Sequence, residues 1–298
     1  MTFKKITLSI ISISIFLSST CSNPYPFNST FEMRQHQIEG AATSLLVNAA
    51  LLFLGKKIFA NMPSASAQTT EFVQTIGDQY GIPHDYDIKI GSGDAAGKGT
   101  IIVEQASENL SSIDRALYNF INATTPEDEQ AAREKMYEII GILDHEFGHY
   151  KHNDVHNAFI ATSAFSVSST AAYLALEHLF FRETVNQLSD SQKKTYGLVS
   201  GLGLSILNIG YNFWYRVRFE KQADEHVRNN PHILKAMIAW TQRIQNQVKN
   251  QIPTTWLGKK CADALEKYPS LYYLLDPVHP PLPYREARFK ERLAELEK

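Results

Sequence analysis

Residues 144–149 read Asp-His-Glu-Phe-Gly-His, so two histidines stand four positions apart and a glutamate directly follows the first. On an α-helix, side chains at this spacing project from one face, so the imidazoles of His145 and His149 can converge on a single metal ion. Glu146 lies one step further round the helix, where its carboxylate can accept a proton from a water molecule on that ion. This combination of residues is typical of zinc peptidases.

The segment around this motif has the pattern of a long helix. Thr125 supplies an N-cap hydroxyl, Pro126 stands at the first helical position, and two acidic residues follow in the first turn. An apolar stripe at spacings of three and four then leads into the histidines: Met136, Ile139, Ile140 and Leu143. We therefore expect a partly buried helix over about 126–153. The alternative, two metal-free core histidines, requires the costly burial of unpaired polar groups.

Catalytic zinc needs a third protein ligand, since it commonly has three and an open fourth position. The metzincin arrangement would place a histidine six residues beyond His149, but that position holds Val155. His152 and His156 follow on the same helix and would reach the ion only if the helix bent back on itself. We expect these two side chains to face solvent or to lie beside the ligands.

A better candidate for the third ligand lies at 218–225, which reads Arg-Phe-Glu-Lys-Gln-Ala-Asp-Glu. Glu220 and Asp224 share one face of the predicted helix. Glu220 could supply the ligand, while Asp224 orients a metal-binding histidine through its other ring nitrogen. Because the neighbouring residues are charged, an ordinary solvated helix surface remains open as the alternative.

Three pieces of the chain together resemble a known family. They are His-Glu-Phe-Gly-His at 145–149, Glu-Lys-Gln-Ala-Asp at 220–224, and His279-Pro280-Pro281 followed by Arg285. In this order they resemble the gluzincin zinc metallopeptidases that include bacterial HtpX and the eukaryotic CAAX prenyl protease. The resemblance covers roughly 65–295.

The resemblance implies one Zn²⁺ per chain, bound by His145, His149 and Glu220. It also implies that Glu146 is the general base. These four residues are the ones predicted to act directly on the metal ion and its bound water.

Three further residues receive roles from the same resemblance. Asp224 would lie behind the ligands, paired with Arg285. His279 resembles a histidine that reaches the active site and assists substrate or oxyanion binding. The alternative for His279 is a turn residue held by the two prolines that follow it.

The resemblance also implies the fold class. Membrane members of the family insert two hydrophobic helices between the two motifs, and this chain has such stretches at about 155–181 and 196–217, separated by a polar turn at 183–194. We expect a mainly α fold with a small β-sheet (α+β), in which a long helical hairpin, 155–217, is inserted between the two zinc-binding helices. Hydroxyl residues and asparagines in both stretches leave open whether the hairpin enters a membrane or packs over the catalytic domain.

The first 64 residues are expected to differ from the rest. Lys4 and Lys5 precede an apolar run at 6–17, which is typical of a signal peptide or membrane anchor over 1–21. Residues 22–64 would form a hydrophobic helix and linker, and 65–298 the zinc metallopeptidase domain. We expect a membrane-associated protein of a bacterial-type cell envelope, in the inner membrane or periplasm. The side of the catalytic domain depends on whether the signal is cleaved.

Two short β-like runs, 86–90 and 100–104, flank a glycine-rich segment at 91–99. A sheet edge beside the zinc helix could hold an extended polypeptide substrate by main-chain pairing. The glycine-rich segment lacks the Gly-Lys-Ser/Thr ending of a phosphate loop, so we expect no nucleotide. A net charge of -2 gives no indication of nucleic-acid binding, and two cysteines provide no disulfide framework.

The sequence thus predicts a zinc-dependent metalloendopeptidase that takes part in membrane-associated protein processing or quality control. The alternative is a catalytically idle, zinc-containing envelope protein that binds a partner.

Overall fold

The computed structural model describes residues 33–38, 61–91, 95–97, 99–107, 110–251 and 279–298, with isolated positions at 260, 263–264 and 267–268. The predicted signal at 1–21, the apolar run at 41–54 and both cysteines lie outside the described residues. The chain divides into two compact units. The motif unit comprises Ile58–His156 and Trp214–Lys298, and the hairpin unit comprises Met1–Lys57 and Asn157–Phe213.

The described chain is mostly helical with a small sheet, as the sequence predicts. The elements of the motif unit include α1 (Ala67–Asp78), β1 (Asp87–Gly91), β2 (Ala95–Gly97), β3 (Thr100–Ser107), β4 (Leu110–Ser111), α2 (Ser112–Ile121) and α3 (Pro126–His152). The next elements form the hairpin region, which is the span from Asp154 to His226. They are α4 (Asp154–Leu176), a π-helix (Glu177–Phe181), α5 (Arg182–Gln187) and α6 (Asp190–His226). The motif unit then continues with the end of α6, with α7 (Pro231–Gln251) and with α8 (Leu282–Leu296).

The sheet is built around β3. β1 pairs with β3 in parallel, with Ile88 opposite Ile101, and β2 pairs with β3 antiparallel, with Ala96 opposite Ile101. β4 also pairs with β3 antiparallel. The two predicted strands are present, but the glycine-rich segment between them contains β2 and is not only a loop. An Ala-Ala-Gly strand has almost no local β-propensity, and it forms because β3 offers an edge.

The core of the motif unit fixes α3 from two sides. One cluster joins α1, the sheet and α2 to α3 through buried residues such as Val73, Ile101, Ile113, Leu143 and Phe147. A second cluster joins α7 and α8 to the same helix, and its buried members are Val227, Ile233, Leu234, Met237 and Phe289. The helix that carries the two histidines is therefore held by apolar burial along both flanks.

The ends of α3 follow the predicted pattern. The Asp128 amide donates to the Thr125 hydroxyl at 3.1 Å, and Pro126 occupies the first turn. The helix ends at His152, because Asn153 adopts a left-handed conformation with φ 52°. Asparagine tolerates this conformation better than most residues.

The hairpin region differs from the prediction at its turn. The segment 183–194 was expected to be a polar turn, but the helices stop only around Leu188 and Ser189. The Glu, Gln and Lys residues of this segment are good helix formers, so polarity alone does not end a helix there. One helix, α6, therefore runs from the hairpin turn into the second motif.

The hairpin unit buries polar side chains. Asn208 donates to the Ser166 hydroxyl at 3.2 Å, and Gln37 of the short helical segment 33–38 donates to Glu177 at 2.8 Å. Each of these four side chains belongs to a residue at most 2% exposed. Among the described residues, one continuous helical stretch, His156–Gln187, is long and apolar enough to cross a membrane by length and composition. It comprises most of α4, the π-helix and α5.

Candidate metal centre

Three predicted ligands, His145 and His149 from α3 and Glu220 from α6, come together in the motif unit. The Nε2 atoms of the two histidines are 3.2 Å apart. His145 Nε2 lies 3.3 Å from Glu220 Oε2, and His149 Nε2 lies 3.3 Å from Glu220 Oε1. This group of donors could hold a metal ion.

The donor spacing can be tested against the requirements of a metal. Tetrahedral ligands about 2.0–2.1 Å from zinc stand roughly 3.3–3.4 Å from one another. The three observed separations lie within 0.2 Å of that range. In addition, Glu220 Oε2 is buried and has no hydrogen-bond donor among the described residues. A desolvated carboxylate oxygen without a donor is costly unless a cation satisfies it, so the residues fit a metal.

A carboxylate holds the other ring nitrogen of each histidine. Asp224 Oδ1 lies 3.0 Å from His145 Nδ1, and Asp154 Oδ2 lies 2.8 Å from His149 Nδ1. When the imidazole is neutral, as a metal ligand must be, a hydrogen bond from Nδ1 leaves the lone pair of Nε2 directed at the ligand cluster. Asp224 was predicted for this position. Asp154 was missed, although the rule that metal-binding histidines need a carboxylate partner could have drawn attention to it.

Arg285 lies behind Asp224, where the resemblance predicted it. Its Nε donates to Asp224 Oδ2 at 2.8 Å, and its Nη2 donates to the other oxygen of the same carboxylate. Both residues are 4% exposed. Burial alone would raise the pKa of Asp224, but Arg285 and His145 hold it below its usual range.

The same contacts set the protonation of the ligand residues. Burial would lower the pKa of His149, but the hydrogen bond to Asp154 and the charge of Glu220 raise it to about 10. Asp224 and Glu220 likewise outweigh burial and raise the pKa of His145. For Glu220, burial opposes ionisation, and the neighbouring histidines nevertheless hold its pKa well below the usual range. The cluster is thus arranged around a strongly stabilised carboxylate.

A glycine allows α6 to reach α3. A Cβ added at Gly148 would lie 3.0 Å from the Ala223 Cα and 2.9 Å from the His226 Cβ. Ala223, between Glu220 and Asp224, is itself fully buried. The two small residues therefore let the helix backbones approach at the crossing that brings Glu220 to the histidines.

A second ion pair, which sequence reasoning missed, joins buried Asp144 of α3 to the partly buried Arg228 just beyond the end of α6. Asp144 is fully buried, and Arg228 donates to it from Nε at 2.8 Å and from Nη2 at 2.6 Å. The backbone amide of Arg228 donates to the same carboxylate at 3.1 Å. The sequence shows that Asp144 and Arg228 carry opposite charges, but no local pattern predicts a contact between two positions so far apart.

Glu146 and His279 lie at a cleft of about 440 Å³ beside the ligands. Glu146 is 8% exposed and lines this cleft together with His145. The His279 side chain is about half exposed, and its Nε2 is 3.7 Å from Glu220 Oε1. Both residues predicted to take part in chemistry are thus brought to the metal-binding group.

The remaining candidates are placed elsewhere. His152 and His156 are exposed, and the His152 ring lies 4.9 Å from that of His226 rather than in the ligand cluster. On α6, the side chains of Glu220 and Asp224 are 15% and 5% exposed, whereas Glu225 is 61% exposed. In the second motif, therefore, Glu225 faces solvent, whereas the two predicted residues do not.

Comparisons with family models, with curated proteins and with solved structures find no match. The likeness to the gluzincins therefore rests on the three sequence motifs. The geometry of the site stands independently of that likeness.

Proposed function

We propose that this protein is a zinc-dependent metalloendopeptidase of the gluzincin type. The observation that carries the proposal is the convergence of the His145, His149 and Glu220 donors, with Glu146 beside them at a cleft. Two imidazoles and one carboxylate form a common ligand set of catalytic zinc, one that leaves a position open for water. One Zn²⁺ per chain satisfies this donor set.

In the proposed reaction, bound zinc supplies Lewis-acid activation of water and of the scissile carbonyl. Glu146 accepts a proton from the attacking water and transfers it to the leaving amine. Asp224 and Asp154 hold the two imidazoles in the tautomer that presents Nε2. His279, at the cleft, donates a hydrogen bond to the carbonyl oxygen as negative charge develops on it.

Arg285 acts through Asp224 rather than on the substrate. By holding that carboxylate ionised, it keeps a hydrogen-bond acceptor behind His145. Arg285 is therefore a positioning residue. The proposed substrate is a polypeptide in extended conformation, whose main-chain amides and carbonyls are free to pair with the protein.

We also propose that the hairpin unit is embedded in a membrane of the cell envelope. Its buried positions include Thr162, Ser166, Glu177 and Asn208, while large apolar side chains are exposed at Val167, Leu179, Phe180, Leu202 and Ile206. Only 17% of the most apolar window of His156–Gln187 is buried, whereas a core helix of a soluble protein would be mostly buried. Lipid favours a helical unit whose apolar side chains lie on the outside and whose polar side chains are hydrogen-bonded on the inside.

Zinc content and proteolysis measured together test the proposal. The full chain in detergent is loaded with zinc, and casein cleavage is compared for wild type, Glu146→Gln and the control Glu134→Gln. Glu134 lies exposed on the same helix, so the control makes the same chemical change away from the site.

We expect Glu146→Gln to retain about one zinc per chain and to lose roughly 10²–10⁴-fold in rate. The control should match wild type. Zinc binding without any cleavage by wild type would favour the idle, partner-binding alternative. Equal cleavage by wild type and Glu146→Gln would overturn the role of Glu146.

A further inference from the structure

The last turn of α6 carries Asp224, whose carboxylate lies 3.0 Å from His145 Nδ1. The helix ends at His226, only two residues later. The last carbonyl groups of a helix have no intrahelical amide to bind, so they need other donors when they are buried. The donors that hold the end of α6 therefore also hold Asp224.

The backbone amide that would normally bind the Asp224 carbonyl is engaged elsewhere. In a continuing helix this amide belongs to the residue four positions later, which is Arg228. The Arg228 amide instead donates to the Asp144 carboxylate at 3.1 Å, beyond the end of α6. The Asp224 carbonyl is thus left for a side-chain donor.

Arg292 of α8 supplies this donor. Its Nη1 donates to the Asp224 carbonyl oxygen at 2.8 Å, and its Nη2 donates to the Val227 carbonyl oxygen. The same guanidinium donates to Asn229 Oδ1, from Nε at 3.1 Å and from Nη2 at 2.7 Å. One partly buried side chain therefore binds three acceptors at and just beyond the end of α6.

A guanidinium suits this place for two reasons. Its N–H groups form a planar fork, so one side chain can bind several carbonyl oxygens at once. Its positive charge also lies at the negative end of the α6 macrodipole, where a cation is stabilising. Both properties favour a fixed position for the last turn of α6.

One face of α8 makes two separate contacts with Asp224. Arg285 binds the Asp224 carboxylate, and Arg292 binds the carbonyl of the same residue. Positions seven apart lie on one side of a helix. Phe289 lies between the two arginines and is buried in the cluster that also contains Val227. The side chain and the backbone of Asp224 are therefore both held by α8.

α8 is itself anchored on α7. Glu286 accepts hydrogen bonds from Gln242 at 2.7 Å and from Gln245 at 2.8 Å. These contacts do not involve a metal ligand. Arg292 is therefore presented to α6 by a helix that is fixed at a distance from the ligands.

We propose that Arg292 is a positioning residue of the metal site and that it acts on zinc binding through Asp224. By binding the Asp224 carbonyl, it fixes the place of the carboxylate that holds His145 Nδ1. Arg292 is not among the residues that line the cleft, so its effect on the metal passes through the residues it binds. The inference rests on the proposed zinc site and adds to it a residue outside the three sequence motifs.

The experiment measures the zinc affinity of the full-length chain in detergent by competition with a chromophoric chelator. Arg292→Met removes the donors and keeps an unbranched side chain, and Arg292→Lys keeps the charge without the fork. Arg288→Met is the matched control. Arg288 lies on the same helix, its side chain is 42% exposed, and it pairs with the side chains of Glu225 and Glu291 rather than with the backbone of α6. The absorption spectrum of Co²⁺-loaded chain reports the geometry of the ligands.

We expect Arg292→Met to weaken zinc binding by roughly 3- to 10-fold, less than the roughly 10- to 100-fold typical of a residue that binds a ligand directly. Arg292→Lys should recover part of this loss, because an ammonium can also donate to carbonyl oxygens. Arg288→Met should bind zinc as wild type does. The Co²⁺ bands should change in Arg292→Met and stay unchanged in the control.

A double-mutant cycle tests the route through Asp224. In an Asp224→Asn background, Arg292→Met should lower zinc affinity by less than about 2-fold, because the contact that Arg292 positions is already weakened. An undiminished loss in that background overturns the route through Asp224. If Asp224→Asn does not fold, the Arg292→Lys recovery and the Co²⁺ spectra decide the proposal.

Two results overturn the inference alone. One is wild-type zinc affinity in Arg292→Met, with a free energy of unfolding that falls equally with and without zinc, because a purely structural cap behaves in this way. The other is an equal loss of zinc affinity in Arg288→Met. Neither measurement needs cleavage, so a wild-type chain that binds zinc but does not cleave casein contradicts only the proposed peptidase function. A wild-type chain that binds no zinc contradicts both.

Discussion

The two units of the molecule distribute polarity in opposite ways. In the motif unit, apolar residues such as Leu143, Phe147 and Phe289 form the interior. In the hairpin unit, residues such as Ser166 and Asn208 are buried. Among the described residues of the hairpin unit, most large apolar side chains are exposed, for example Leu179 and Phe180 at 72% and 71%.

This difference indicates that a buried polar group has a different role in each unit. In the motif unit, the buried charges Asp224 and Arg285 lie behind His145, and buried Asp144 binds Arg228 just beyond the end of α6. In the hairpin unit, the buried polar groups bind one another between helices. The first pattern suits the proposed metal site, and the second suits the proposed membrane-embedded hairpin.

The largest expected effect comes from breaking the buried pair behind His145. Asp224→Ala leaves the Arg285 guanidinium buried without its partner, which should lower the free energy of unfolding by about 3–5 kcal/mol. Asp224→Ala combined with Arg285→Met should recover much of this loss. Denaturant titration followed by circular dichroism measures both. If the free energy of unfolding of Asp224→Ala equals that of wild type, the pair is not important for stability.

A charge on the outside of the hairpin should have the next largest effect. Val167 is 60% exposed within His156–Gln187, and Val167→Arg should cost about 2.5–3.5 kcal/mol of insertion if lipid surrounds it. Ile121→Arg, at a 70% exposed position of the motif unit, should change stability by no more than about 0.5 kcal/mol. Carbonate-resistant membrane association is the measurement. Unchanged association of Val167→Arg would contradict a lipid-facing hairpin.

Asp154→Asn tests the histidine partner that sequence reasoning missed. The neutral amide accepts the hydrogen bond from Nδ1–H more weakly than a carboxylate does, so zinc affinity should fall by about 10- to 100-fold. Asp190→Asn, at an exposed position of the hairpin region, is the matched control and should bind zinc as wild type does. Competition with a chromophoric chelator gives both affinities. Equal values would assign Asp154 a role in turn structure only.

The smallest effects compare two helical glycines. Gly148→Ala places a methyl group 3.0 Å from the backbone of Ala223 and should destabilise the crossing by about 1–3 kcal/mol, with weaker zinc binding. A Cβ at Gly203 of the hairpin unit meets no atom within 4 Å. Gly203→Ala should therefore be neutral or stabilise by about 0.5–1 kcal/mol. Thermal unfolding with and without zinc separates the two cases.

Much of the local structure could be predicted from neighbouring residues. The Thr125 cap, Pro126 and the apolar stripe predicted α3 nearly to its observed end, since caps and periodicity act within a few residues. Strand β2 and the hairpin turn were not predicted correctly. β2 depends on pairing with β3, and the turn depends on where two long helices stop rather than on polarity.

The sequence by itself determined the types of donor atom, their order along the chain and the face of the helix that each occupies. Only the tertiary structure decided that Glu220 reaches both histidines, that Asp154 and Asp224 each hold one ring, and that Arg228 binds Asp144. The physical reason is that spacing within a helix is set by local backbone geometry. Contacts between α3 and α6 depend instead on packing at Gly148 and Ala223, which no short-range pattern encodes.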